Sequence, residues 1–160
     1  MDRRAAHLIE SLQLGPHPEG GFYRETWRSA ARVQAGGRPE RSALTTIYFL
    51  LAAGSFSAWH RVRADEVWHW YEGEPLELLL ASPDFAVTQR VRLGPVAPGI
   101  EPVMTAPADW WQAARPLGSY ALCGCTVAPG FEFEDFAFLR DRPADTDALR
   151  IAAPDLISLL

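Results

Sequence analysis

A chain of 160 residues has the length of one domain with one core, able to bury roughly two thirds of the surface its unfolded form exposes. Apolar residues make up 48% and charged residues 22%, and no run approaches the roughly 18 continuous apolar residues of a spanning helix, which argues against a membrane protein. The net charge of −5, from 15 basic and 20 acidic residues, argues against nucleic acid as a partner, because neutralising phosphates takes a concentrated basic face.

The first residues, MDRRAAHLIESLQLG, lack the apolar centre and small-residue cleavage site of a secretory signal, so a cytoplasmic location is expected. Ala5, Leu8, Ile9 and Leu12 recur at helical spacing and predict a helix over residues 3–14, capped by Asp2 and ended by Gly15-Pro16. HPEGGFYRETWRS, from His17 to Ser29, reads as a turn followed by an alternating strand. His17 and Glu19 are densely placed polar residues there, and turn formation accounts for Pro18, Gly20 and Gly21. SALTTIYFLLAA, from Ser42 to Ala53, is β-branched and apolar on both faces, the composition of a strand buried on two sides.

Strands are also predicted over residues 75–81, 86–93, 109–114 and 119–127, and in FEFEDFAF after Pro129-Gly130. Cys123 and Cys125 share one strand face as buried thiols, since neighbours two apart are awkward to bridge by a disulfide. About nine short strands, spaced near ten residues apart and punctuated by Pro and Gly, predict an all-β sandwich or barrel behind one helix. Residues 140–160 give no clear pattern.

The chemistry concentrates in GSFSAWHRVRADEVWHWYEG, from Gly54 to Gly73. Strand parity places His60 and Val62 on one face, and in the next strand Glu66, Trp68 and Trp70 on one face with His69 on the other. Glu66 and His69 therefore cannot both enter one cavity without a bulge. Trp110 and Trp111 likewise face opposite ways, with Gln112 on the side of Trp110.

The spacing Gly54, His60, Val62, Glu66, Gly73 resembles the first cupin motif, and Pro107, Asp109 and Gln112 partly resemble the second. HPEGGFYRETWRS, TTIYFLL, DEVWHWYEG and CTVAPGFEFEDF together resemble one branch of the cupins whose function is not established, over most of residues 7–139. The resemblance implies a jelly-roll barrel, a double-stranded β-helix with an open-mouthed cavity, occupying about residues 20–139 of a single domain spanning 1–160. Metal-binding cupins use three histidines and the glutamate. Here His60 and Glu66 match, whereas Val62 and Gln112 stand at the other two histidine positions; valine cannot ligate, and an amide oxygen is a poor ligand for imidazole-seeking ions.

The expected function is binding of a small polar, ring-containing molecule, such as a sugar or nucleotide, with no cofactor. His60 and Glu66 form the expected acid–base or orienting pair, with Tyr48 as a candidate general acid. Trp68, Trp70 and Trp111 are candidate stacking walls, with Gln112 and Arg24 as polar contacts. Two alternatives follow from the resemblance: a sugar or nucleotide-sugar epimerase in which His60 removes a proton and Tyr48 returns one, and a metal-dependent oxygenase or isomerase using His60, Glu66 and Gln112. A homodimer is expected, since apolar strand surface outside the barrel would otherwise form an exposed patch.

Overall fold

The computed structural model describes all 160 residues. Helix α1 (Arg3–Ser11) begins where Asp2 accepts hydrogen bonds from the Arg4 and Ala5 amides. Thirteen strands follow: β1 (Gly15–Pro16), β2 (Phe22–Arg28), β3 (Arg32–Val33), β4 (Arg41–Ser42), β5 (Thr45–Ala52), β6 (Ser57–Val62), β7 (Asp65–Gly73), β8 (Leu76–Ala81), β9 (Thr88–Leu93), β10 (Val103–Ala106), β11 (Trp111–Pro116), β12 (Tyr120–Ala128) and β13 (Phe136–Phe138). FEFEDFAF is a strand only at its end; Phe133–Asp135 form a 3-10 turn. Residues 140–160, unreadable in the sequence, contain helix α2 (Pro143–Ala152) and a further 3-10 segment, Pro154–Leu159.

Eleven strands build two antiparallel sheets, ordered β1-β2-β5-β12-β7-β10 and β13-β6-β11-β8-β9, and β3 and β4 pair as a separate ribbon; this is the all-β barrel that the strand pattern predicts, in the jelly-roll form that the cupin resemblance implies. Side-chain alternation sends one residue set into the space between the sheets and the other set outward. Phe49 and Leu51, Trp68, Leu76, Leu78 and Leu80, with Cys123 and Cys125, belong to the inner core. The two thiols are free and buried.

Each sheet is also covered outside. α1 lays Ala5 and Leu8 on Leu50, Ala52, Tyr120 and Leu122 of the six-stranded sheet. The C-terminal segment lays Leu149, Leu156 and Leu159 on Trp59, Leu79, Ala81 and Trp111 of the five-stranded sheet. Trp59 Nε1 donates to the Leu156 carbonyl, which satisfies a polar group that this packing desolvates. The double covering explains why β5 and β8 read as apolar on both faces. Beyond α1, the six-stranded sheet leaves Trp27, Tyr71 and Val103 exposed.

Candidate functional site

The interior of the barrel changes character along its length. On β5 the inward residues run from Leu51 and Phe49, in the core, to Ile47 and Thr45, which line a cavity of about 120 Å³. β7 passes from Trp70 and Trp68 to Glu66, and β12 from Cys123 to Cys125 and Val127. One half of the barrel is thus plugged with hydrocarbon and aromatic rings. The other half opens between Tyr23, Glu25, Ile47, Val62, Val127 and Phe131.

The HPEGG turn supplies two polar lining residues, His17 and Glu19. It lies against the barrel backbone: the Ala58 amide donates to the Glu19 carbonyl at 2.9 Å, and a Cβ on Gly20 would sit 2.1 Å from the Phe56 carbonyl oxygen. Gly20 also has φ +113°, in the region that favours glycine. The turn and the site therefore share residues: the glycines permit the close approach that brings Glu19 to the cavity.

Glu19 Oε2 accepts from Ser57 Oγ at 2.8 Å, and Glu19 Oε1 lies 3.4 Å from His60 Nε2 and 3.8 Å from His17 Nδ1. His60 Nδ1 is 2.8 Å from the Ala58 carbonyl, which can only accept, so this nitrogen carries the proton and Nε2 presents its lone pair to Glu19. His17 has the opposite tautomer when neutral, because its Nδ1 accepts from the Glu19 amide at 3.2 Å. On the far side, Trp68 Nε1 donates to Gln112 Oε1 at 2.9 Å, and Gln112 Nε2 donates to Glu66 Oε2 at 2.5 Å. The indole fixes the amide orientation, since its N–H requires an oxygen.

Burial pushes the carboxyls of Glu19 and Glu66 upward in pKa; the neighbouring histidines and the Ser57 and Gln112 hydrogen bonds only partly oppose it. The same desolvation lowers His17 and His60. All four shifts run toward the uncharged forms, and a protonated Glu19 would donate to the His60 lone pair. Burial also pushes the Cys125 thiol well up, beside Glu66.

Against this geometry, the residues expected at the site divide into three groups. Glu66 lines the cavity, while His60 and Gln112 stand behind the lining and touch it through Glu19 and Glu66. Trp68 and Trp70 face inward but belong to the plugged half, where Trp70 Nε1 bonds the Glu74 carbonyl at 3.3 Å. Tyr48, Arg24 and Trp111 lie outside the barrel, which corrects their expected placement. Tyr48 pairs in register with Arg24 on the outer face of the six-stranded sheet, where it packs against Tyr71. Trp111 pairs with Arg61 and is buried under Phe85 and the C-terminal segment. The physical reason is register: Gln112 opposite His60 fixes the inward parity of β11, so its neighbour must point out.

His17, Tyr23, Glu25 and Arg28 were not expected as cavity residues, yet all four line it. Alternation in β2 separates Tyr23 and Glu25 from Arg24. Arg28 is brought to the same side by the bulge between Glu25 and Trp27, which no pattern of residue types marks.

The donor set does not fit a cupin metal. Gln112 turns an N–H toward Glu66, where a cation would need a lone pair, and its oxygen is committed to Trp68. Val62 has no donor, and no group of three or more His, Cys, Asp or Glu residues is arranged to hold an ion. The alternative set His60, Glu66 and Gln112 is therefore not a ligand set in this conformation.

A family model described as "Cupin superfamily (DUF985)" matches residues 6–139. The chain is 28% identical over 148 residues to the uncharacterized protein YML079W of Saccharomyces cerevisiae, covering 83% of this chain and 74% of that protein. Among solved structures, a hypothetical protein from Leishmania major superposes with TM-score 0.83 at 33% identity, over 97% of this chain and 95% of that one. Protein SO0799 from Shewanella oneidensis gives TM-score 0.81 at 32% identity, over 97% and 93%.

Proposed function

Since the chain belongs to the cupin superfamily, in the branch matched over residues 6–139, and its barrel sets Glu19 of the HPEGG turn beside His60 and Glu66, the two residues that match the cupin metal motif, we propose that it binds a small polar ring-containing molecule without a catalytic metal. The observation that carries this reading is that two carboxyls, Glu66, which is buried, and Glu19, whose side chain is 9% exposed, line a cavity whose remaining walls are largely apolar. Polar groups that converge on an apolar pocket are what orient a small ligand. The volume limits its size: about 120 Å³ compares with the roughly 150 Å³ engineered cavity that takes up benzene, so a single ring with short substituents fills it. A sugar nucleotide would have to leave most of its atoms outside. An epimerase that used Tyr48 lacks its second acid, because Tyr48 is on the outer face.

A single-ring fragment collection tested by thermal shift should give compounds that stabilise the protein, by ~2.7 kcal/mol at 100-fold above Kd. Val127→Trp, which fills the cavity from β12, should abolish the shift. Compounds that stabilise the filled variant equally, or a complete absence of stabilising fragments, would overturn the reading.

A further inference from the structure

Resting on that reading of the cavity, we infer that its ligand is a small organic cation, a ring carrying a protonated amine or amidine, received by Glu19 and Glu66 and faced by aromatic rings at the mouth. Three carboxyls line the cavity, Glu19, Glu25 and Glu66, against one cation, Arg28. Arg28 is already spent: Nε and Nη2 donate to Glu25 at 3.2 and 2.9 Å, Nη1 to Glu132 at 2.9 Å, and both terminal nitrogens to the Phe131 carbonyl at 3.2 Å. Two carboxylates on one guanidinium leave the mouth anionic. An anionic ligand such as a phosphate or carboxylate would meet no free cation in this cavity.

The second observation concerns the rings. Phe131 and Phe133 stand edge to face at 5.1 Å beside the cavity, and Phe133 is 64% exposed, so the pair is accessible to a ligand at the mouth. Ring faces attract cations through the aromatic quadrupole, by an amount that grows when water is excluded. Deeper in, Glu66 has one oxygen hydrogen-bonded to Gln112, and Glu19 has Oε2 on Ser57 while its Oε1 faces His60 Nε2 at 3.4 Å, so a ligand N–H group takes up the carboxyl edge of Glu66 and replaces the His60 contact of Glu19. An ammonium or amidinium supplies the donors and the positive charge that two desolvated carboxyls lack. Its arrival would favour their ionised forms, so binding should expel protons.

The test compares three probes of one shape: benzylammonium, benzyl alcohol and benzoate, titrated calorimetrically near neutral pH. The expected order is benzylammonium tightest, by about 10-fold or more over the alcohol, as charge-assisted hydrogen bonds imply, with benzoate weakest. The ratio should narrow in Glu66→Gln and in Glu19→Gln, two variants chosen so that a folding defect in one leaves the other informative. Proton release on binding the cation, read from the dependence of heat on buffer ionisation, supports the same assignment. Benzoate binding as tightly as benzylammonium, or a ratio unmoved in both variants, overturns the cation assignment; the cavity reading then survives if the alcohol binds and Val127→Trp abolishes it. Binding by none of the three overturns both.

Discussion

Gly20→Val should destabilise the protein by ~2 to 6 kcal/mol and remove fragment binding as well. Two terms combine. A β-branched residue at φ +113° pays backbone strain of about 1–3 kcal/mol. Its Cβ would also overlap the Phe56 carbonyl, a backbone atom that cannot rotate away, so the turn or β6 must shift at a further cost of about 1–3 kcal/mol. Movement of the turn carries Glu19 away from Ser57 and His60, which is why binding should fail together with stability. Gly54→Ala is the control: its φ is +81°, but a Cβ there meets nothing within 4 Å, so only the conformational cost of ~1 kcal/mol remains and the cavity is untouched. Urea unfolding of both variants, with fragment binding measured on each, gives the comparison. Equal losses at the two positions would show that the turn is not wedged against the barrel.

The double substitution Val62→His with Gln112→His should create a divalent-metal site where the wild type has a hydrogen-bond network. Gln112 faces His60 across β11 and β6 and already reaches Glu66, while Val62 lines the same cavity, so two added imidazoles would converge with His60 and Glu66 on one point. Three imidazoles and a carboxylate are a good set for zinc or another first-row ion. The expected result is uptake of about one equivalent of zinc, retained through desalting, with a marked rise in melting temperature on loading. Before loading, the variant should be less stable than the wild type by ~1–3 kcal/mol, because Trp68 Nε1 loses its acceptor in a buried place. Uptake by the wild type as strong as by the variant would contradict the reading that Gln112 has replaced a ligand.

Much of the barrel is legible in the chain because its strands alternate and its turns carry Pro and Gly. The faces are less so. Where both sides of a strand are covered, as in β5 beneath α1 and β8 beneath the C-terminal segment, apolar residues stand at every position and parity carries no label. Parity therefore does not mark Tyr48 as outward, and residue type does not mark Trp111, because an indole serves equally as a stacking wall or as a core residue. His60, Glu66 and Gln112 are legible through the cupin spacing, and the separation of Glu66 from His69 follows from period two: the bulge in β7 lies beyond both, between the partners of Leu122 and Cys123. Glu19 and His17 were visible only as a dense polar turn. Their placement depends on a contact between residues nearly forty positions apart, Glu19 with Ser57 and Ala58, which local pattern does not encode.

On the proposed reading, a buried carboxyl–imidazole cluster whose groups are shifted toward their uncharged forms stands beside the cavity at the His60 and Glu66 positions of the cupin motif. The groups facing one another in it are His17 and Glu19 from the turn, His60 from β6, Glu66 from β7 and Cys125 from β12, with Glu25 and Arg28 at the mouth. Because desolvation lowers the His60 pKa, the folded ring stays neutral as pH falls through the ordinary histidine value near 6.5, while the unfolded ring takes up a proton. Its contribution to stability is therefore present above that value and lost below it. Nitrogen-15 NMR of the imidazoles across this range reads the state of the cluster most directly. The expected result is a His60 ring protonated at Nδ1 alone, with no titration near 6.5, and signals that shift in Glu66→Gln. A His60 that titrates at an ordinary value, indifferent to Glu66→Gln, would contradict it.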